Sequence, residues 1–240
     1  MKRILAAVLI LSMVVVSTAF AYEAMDVKGG GAIKGKIKAS MKPDDPMLTI
    51  DKDTEICGKS QAAMMYILSP NLEVKNALVI VEDVKKGKAA LKSDITIDNK
   101  SCKFEPIVGI GYKGGNFVIK NSDPMLHNTN LGILLQDKRR AVYNLALPKK
   151  DQVITKPIKA IGLHAVKCDA HSWMRAYIYV SEHPYVAVTD ASGNFEIKDL
   201  PPGKYKIKIW HEGFAEITKD VEVTSDKTAE LNVTLSKTKK

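Results

Sequence analysis

Several common signatures are missing from this sequence. Beyond residue 21 no apolar run is long enough to cross a bilayer, so we expect no membrane span. There is no G-x-S-x-G, H-E-x-x-H or dinucleotide fingerprint, and we therefore expect a protein that is not an enzyme. No nucleic-acid recognition module occurs either, which argues against nucleic acid as a partner.

The N-terminus has the pattern of a secretory signal. Residues 1–21 combine a charged start with an apolar run and end in Ala-Phe-Ala, which predicts cleavage after Ala21. No cysteine follows that site, so we expect no lipoprotein anchor. The expected location is the periplasm or the medium. The formal net charge of +9 indicates a solvated basic surface and a weak preference for acidic protein partners.

Cysteine is scarce, and its number is odd. Three cysteines cannot all pair within one exported molecule. Cys57 and Cys102 have no ligand-type residues nearby, so we predict a disulfide between them. Cys168 has a histidine and a methionine close by in the segment CDAHSWM, and it remains as the unpaired thiol.

Alternating apolar and polar residues dominate the chain and predict an all-β fold. Turn-forming residues separate the alternating runs at spacings that suit a β-sandwich or barrel. The best helical candidate is short, Ser60 to Leu68, and it fits a connecting helix or another strand. We predict a boundary near Glu182, with residues 22–182 as the first unit and residues 183–240 as a small β-sandwich segment that leans on the first.

The segment CDAHSWM supplies three ligand types from one loop: the thiol of Cys168, the imidazole of His171 and the thioether of Met174. Copper prefers such soft and borderline ligands, and a His₂Cys set with a weak axial Met is the blue-copper arrangement. Zinc fits less well, because methionine is a poor zinc ligand and only one thiolate is present. The second histidine has to come from elsewhere, and His127 in NSDPMLHN is the best candidate.

NSDPMLHN followed about 40 residues later by CDAHSWM resembles the type 1 copper sites of cupredoxins, with the short ligand loop of the amicyanins. The resemblance implies a Greek-key sandwich with one bound copper. It implies His127, Cys168 and His171 as equatorial ligands and Met174 as the axial one. Asn128 matches the position of an asparagine that ties the two ligand-bearing loops together.

The distal segment, residues 183–240, resembles carboxypeptidase regulatory-like domains, which are small transthyretin-like sandwiches. Asp190, Gly193 and Phe195 carry this resemblance, together with the Pro-Gly turn that follows them. The combination resembles exported bacterial proteins of the methylamine-utilisation-like or cupredoxin-like type.

Three functional hypotheses follow. The first is single-electron transfer to a redox protein such as a cytochrome, dehydrogenase or oxidase, with backbone donors around Asp169 tuning the potential. In that case the exposed edge of His171, rimmed by Trp173, Met125 and Leu126, is the expected docking face. The second is copper buffering or delivery by the same ligands. The third is a partner-binding β-module in which the copper loop is degenerate.

The other three histidines are expected outside the ligand set. His164 lies on the strand that leads into the ligand loop, where alternation puts it on the same face as Cys168 without making it a ligand. His183 and His211 fall in the distal segment and are expected to be structural hydrogen-bonding residues.

Overall fold

The computed structural model describes residues 22–136 and 138–237. The predicted signal peptide, residues 1–21, lies outside the described residues. Within these ranges the chain is almost entirely β, which confirms the predicted class, and the described part contains no helix long and apolar enough to cross a membrane. In chain order the elements are β1 (Glu23–Ala24), β2 (Gly31–Ala39), β3 (Met47–Thr49), α1 (Thr54–Cys57), β4 (Ser60–Ala62), β5 (Leu78–Val81), β6 (Lys86–Gly87), β7 (Ile95–Lys100), β8 (Lys103–Glu105), β9 (Val108–Tyr112), β10 (Asn116–Asn121), β11 (His127–Leu135), β12 (Lys138–Leu147), β13 (Val153–Pro157), β14 (Gly162–Lys167), β15 (Arg175–Ser181), β16 (Val186–Val188), β17 (Asn194–Leu200), β18 (Gly203–Trp210), β19 (Ile217–Val223), β20 (Thr228–Glu230) and β21 (Val233–Leu235).

The first sandwich is built from a four-stranded and a five-stranded sheet. Their strand orders are β13-β10-β7-β8 and β12-β11-β14-β15-β9. Alternating residues from both sheets point inward and form one core, as the period of two requires. Cys168, Trp173 and Met174 belong to this core, so the predicted ligand loop closes one end of it.

The second sandwich pairs a sheet of order β16-β5-β18-β19 with a sheet in which β2 lies between β17 and β20 and also pairs with β21. Its core therefore takes residues from β2 and β5 as well as from the distal segment. The prediction placed β2 and β5 in the first unit, yet both strands form their hydrogen bonds in the sheets of the second sandwich and contribute side chains to its core. A segment of about 55 residues offers too little apolar surface for a sandwich of its own, and the N-terminal strands supply the rest.

A third apolar cluster joins the two sandwiches. All four residues of β5 are buried: Val79 and Val81 face the core of the second sandwich, whereas Leu78 and Ile80 face the first sandwich. Tyr177 of β15 and Trp210 of β18 pack with ring centroids 5.0 Å apart across this junction. Burial on both faces explains why β5 is a continuous apolar run rather than an alternating one.

The helical candidate at Ser60 to Leu68 is a strand at its start, because Ser60–Ala62 forms β4 and pairs with β3. The single described helix, α1, lies just before it. The predicted disulfide between Cys57 and Cys102 is present, with Cα atoms 5.6 Å apart, and it ties the end of α1 to the turn between β7 and β8.

Candidate metal centre

Neighbouring strands bring the predicted ligands together. His127 is the first residue of β11, and β11 pairs antiparallel with β14 in the register Asn130↔Lys167. Cys168 follows β14 directly, so it lies beside the first residues of β11. His171 and Met174 complete the loop before β15 begins at Arg175.

Three ligand atoms converge at this point. His127 Nδ1 lies 3.0 Å from His171 Nδ1, and Cys168 Sγ lies 3.5 Å from His171 Nδ1. All three ligand atoms fall within 4.8 Å of one another, and all three side chains are buried. Met174 is buried in the same core, and the loop is closed by hydrogen bonds from Met174 N–H to His171 O and from Cys168 N–H to Met174 O.

Two carboxylates lie behind the two imidazoles. His127 Nε2 is 2.9 Å from Asp123 Oδ2, and His171 Nε2 is 2.9 Å from Asp53 Oδ2. An ionised carboxylate can only accept, so it favours the tautomer with the proton on Nε2 and leaves Nδ1 with a free lone pair. Two such lone pairs then face each other beside a sulfur atom, an electron-rich arrangement that a cation would stabilise.

Burial shifts the pKa values of His127 and Cys168 in opposite directions. It lowers the pKa of His127, and the hydrogen bond to Asp123 acts in the opposite direction. It raises the pKa of the Cys168 thiol, whereas the backbone N–H of Asn128, 3.4 Å from Sγ, lowers it. A metal that binds here would have to displace the thiol proton, as soft metals do at cysteine ligands.

Asn128 and Asp169 fasten the two ligand-bearing segments to each other. Asn128 Oδ1 accepts a hydrogen bond of 3.1 Å from Asp169 N–H, and Asn128 Nδ2 donates to Asn144 Oδ1. The Asp169 carboxylate accepts from the side chains of Asn130 and Asn144 at 3.1 and 3.2 Å. The cupredoxin resemblance implies such a linking role for Asn128, and these contacts join the same two segments.

The docking face is not as predicted. His171 is fully buried, because Asp53 and the segment around α1 cover its Nε2 edge. The prediction that this edge is exposed was therefore wrong. Trp173 and Met125 are also buried, and of the three predicted rim residues Leu126 alone is exposed, at 47%. The Trp173 ring packs against the His171 ring with the ring centroids 5.0 Å apart, and Trp173 Nε1–H donates a hydrogen bond to Cys102 O.

Sequence reasoning missed both carboxylates. Asp123 precedes His127 by four residues in the same turn, a spacing that could have indicated it. Asp53 is 118 residues away from His171, and no local pattern connects the two.

The remaining histidines lie outside the cluster. His164 is buried on β14 with Nδ1 against Gly162 O. In the second sandwich, His183 Nδ1 accepts from Tyr185 N–H and His211 Nδ1 accepts from Gly213 N–H. The structural roles expected for His183 and His211 agree with these contacts.

Comparison with known sequences gives partial matches. Residues 174–236 match the family "Carboxypeptidase regulatory-like domain", which is less than half of the chain. The large ribosomal subunit protein bL9 of Oenococcus oeni is 31% identical over 111 residues, covering 46% of this chain and 63% of that protein. The chain thus spans less than two thirds of that relative.

Solved structures of copper proteins also show similarity. A purple cupredoxin from Nitrosopumilus maritimus is 20% identical with a TM-score of 0.32, covering 37% of this chain and 100% of that one. A mutant of amicyanin in its reduced Cu(I) form is 19% identical with a TM-score of 0.32, at 43% and 98% coverage. A copper-containing nitrite reductase from Thermus scotoductus is 16% identical with a TM-score of 0.31, at 37% and 22% coverage. At these values the likeness assigns no activity to this chain.

Proposed function

We propose that this chain is an exported mononuclear copper protein that carries single electrons between redox partners. The supporting observation is the buried convergence of His127 Nδ1, His171 Nδ1 and Cys168 Sγ within 4.8 Å. Two imidazoles and one thiolate, with the thioether of Met174 as a weak axial donor, form the ligand set that suits type 1 copper. Copper held in this way would supply a Cu(I)/Cu(II) couple.

The surroundings of the ligands favour electron transfer over copper delivery. Each imidazole is held from behind by a carboxylate, and the Asn128–Asp169 contact ties the two ligand-bearing segments together. Ligands fixed in this way rearrange little when the charge at the site changes. Copper delivery requires an acceptor to displace ligands one after another, and fully buried histidines oppose that step.

We assign no enzymatic activity in this proposal. A catalytic metal site keeps a coordination position open for water or substrate. Here three buried ligand atoms and the neighbouring Met174 would occupy the coordination sphere with side chains.

The proposal also includes export of the protein to an oxidising compartment and an acidic redox partner there. The N-terminal signal pattern and the Cys57–Cys102 disulfide both favour an oxidising compartment. The basic net charge favours an acidic redox protein as partner. Docking next to Leu126, which directly precedes the ligand His127, would place that partner near the metal.

The experiment begins with expression of the full chain and purification from the periplasmic fraction, where the N-terminal mass tests cleavage after Ala21. One equivalent of Cu(II) is added, followed by desalting and visible and EPR spectroscopy. We expect an intense thiolate-to-copper band with small hyperfine splitting, which Cys168→Ala and His171→Gln abolish. His164→Gln removes a buried histidine outside the site and serves as the control that retains the band. A colourless wild-type protein contradicts the proposal.

Reversible reduction and oxidation distinguish the carrier from a delivery protein. With excess Cu(I) chelator we expect slow copper loss, over hours, while the electron self-exchange remains fast. Rapid transfer of copper to the chelator would favour copper handling instead.

A further inference from the structure

Asp53 lies on a segment that crosses the ligand loop. Its carboxylate is 2.9 Å from His171 Nε2 although the two residues are 118 positions apart. Its backbone is in the left-handed region at φ 52°, and its carbonyl accepts hydrogen bonds from the N–H groups of Ile56 and Cys57, the last two residues of α1. A non-glycine residue adopts this conformation at a cost, so the surrounding contacts hold it there.

The Cys57–Cys102 disulfide connects this segment to the other carboxylate. Cys57 ends α1, four residues after Asp53. On the other side of the bridge, the N–H groups of Ser101 and Cys102 donate to Asp123 at 2.7 and 2.8 Å. One covalent link therefore joins the segment that holds Asp53 behind His171 to the turn that holds Asp123 behind His127.

We propose that Asp53, fixed by the Cys57–Cys102 disulfide, is a positioning residue for His171. Its carboxylate holds the proton on Nε2, presents Nδ1 to the metal and increases the electron density of the ring. An imidazole with more electron density stabilises Cu(II) more than Cu(I), so Asp53 lowers the reduction potential of the site. This inference rests on the proposed copper site.

The test compares Asp53→Asn with Asp51→Asn. Both variants remove one negative charge from an exposed residue of the same segment, but of the two only Asp53 contacts a predicted ligand. Loss of an outer carboxylate typically lowers metal affinity about 10- to 100-fold. We expect Asp53→Asn to lower the affinity for Cu(II) by this factor and to leave the affinity for Cu(I) nearly unchanged. At 59 mV per tenfold change for one electron, the potential should rise by about 60 to 120 mV.

Asp51→Asn is expected to change the Cu(II) affinity less than twofold, because the Asp51 carboxylate acts on the site only through solvent, which screens its charge, whereas Asp53 contacts His171 directly. The spectra separate positioning from simple misfolding: Asp53→Asn should keep the intense thiolate band while its potential rises. An unchanged potential in a copper-loaded Asp53→Asn protein, or an equal shift in Asp51→Asn, overturns the inference and leaves the proposed copper site intact.

The role of the disulfide is tested with the double variant Cys57→Ser/Cys102→Ser. We expect its potential to rise as in Asp53→Asn, and adding Asp53→Asn to it should produce little further shift, because both changes remove the same contact. Fully additive shifts would show that the disulfide does not act through Asp53. Failure of the wild-type protein itself to form a thiolate–copper band would instead overturn the proposed function.

Discussion

Arg175 and Glu212 form a two-point ion pair between the two sandwiches. Arg175 Nε lies 2.6 Å from Glu212 Oε2, and Arg175 Nη2 lies 3.2 Å from Glu212 Oε1. Arg175 directly follows Met174, whereas Glu212 lies in the turn after β18. The second sandwich thus forms an ion pair with the residue that directly follows the candidate ligand loop.

Replacement of Glu212 by alanine is expected to destabilise the protein by about 3 kcal/mol, because it leaves a largely buried guanidinium unpaired. Burial raises the pKa of Glu212 against the opposing effect of Arg175, so the neutral isostere in Glu212→Gln should cost less. Urea unfolding of the metal-free protein measures both. Asp220→Ala breaks the exposed Lys206–Asp220 pair and should cost at most about 0.5 kcal/mol; a cost similar to that of Glu212→Ala contradicts the prediction.

His211 should make the stability of the metal-free protein depend on pH. Burial lowers the pKa of His211 to about 4 from 6.5, so its contribution to stability is present above pH 6.5 and is lost as the pH falls towards 4. Between pH 7 and 4.5 this amounts to about 2 kcal/mol. We measure the free energy of unfolding with urea at both pH values. We expect it to fall by about 2 kcal/mol less in His211→Asn than in the wild type. The same decrease in the variant and the wild type would show that His211 is not responsible.

Asn128→Ala is expected to accelerate copper loss. The substitution removes the acceptor of the Asp169 N–H and the donor to Asn144, which should cost about 1 to 2 kcal/mol of stability. The decay of the thiolate band in excess chelator should be several-fold faster than in the wild type. Asn116→Ala removes an asparagine that is bonded to Asp94, away from the site, and should leave that decay rate unchanged. Equal rates for Asn128→Ala and the wild type contradict the link.

Met174→Leu is expected to keep copper and the thiolate band while raising the reduction potential. Methionine and leucine have similar volumes, so the fully enclosed side chain is replaced with little strain. Loss of the weak axial donor disfavours Cu(II) more than Cu(I). Cyclic voltammetry of the loaded protein measures the shift. Met41→Leu changes a methionine that is 57% exposed and is the matched control; a potential that is the same in Met174→Leu and the wild type would exclude Met174 as an axial ligand.

Local pattern was sufficient for the parts of the site that lie on one loop. Cys168, His171 and Met174 lie close together in the sequence, and the ligand-type residues beside Cys168 indicated that Cys57 and Cys102 would form the disulfide. Asn128 was implied by the resemblance to cupredoxins, in which an asparagine directly follows the first histidine ligand. The sequence also predicted the all-β class, since alternation of apolar residues directly specifies which face of a strand is buried.

The contributions of distant segments could not be read from the chain. Asp53 reaches His171 because a disulfide-linked segment folds over the ligand loop, and that contact also buries the ring edge that was expected to be exposed. β2 and β5 enter the second sandwich through pairing with strands more than 100 residues away. The choice of candidate ligands and the strand character thus follow from the sequence itself, through side-chain chemistry and a period of two. Which edges remain exposed, which carboxylates lie behind the ligands and which strands complete each core were decided only by tertiary packing, because those contacts join residues that no local pattern relates.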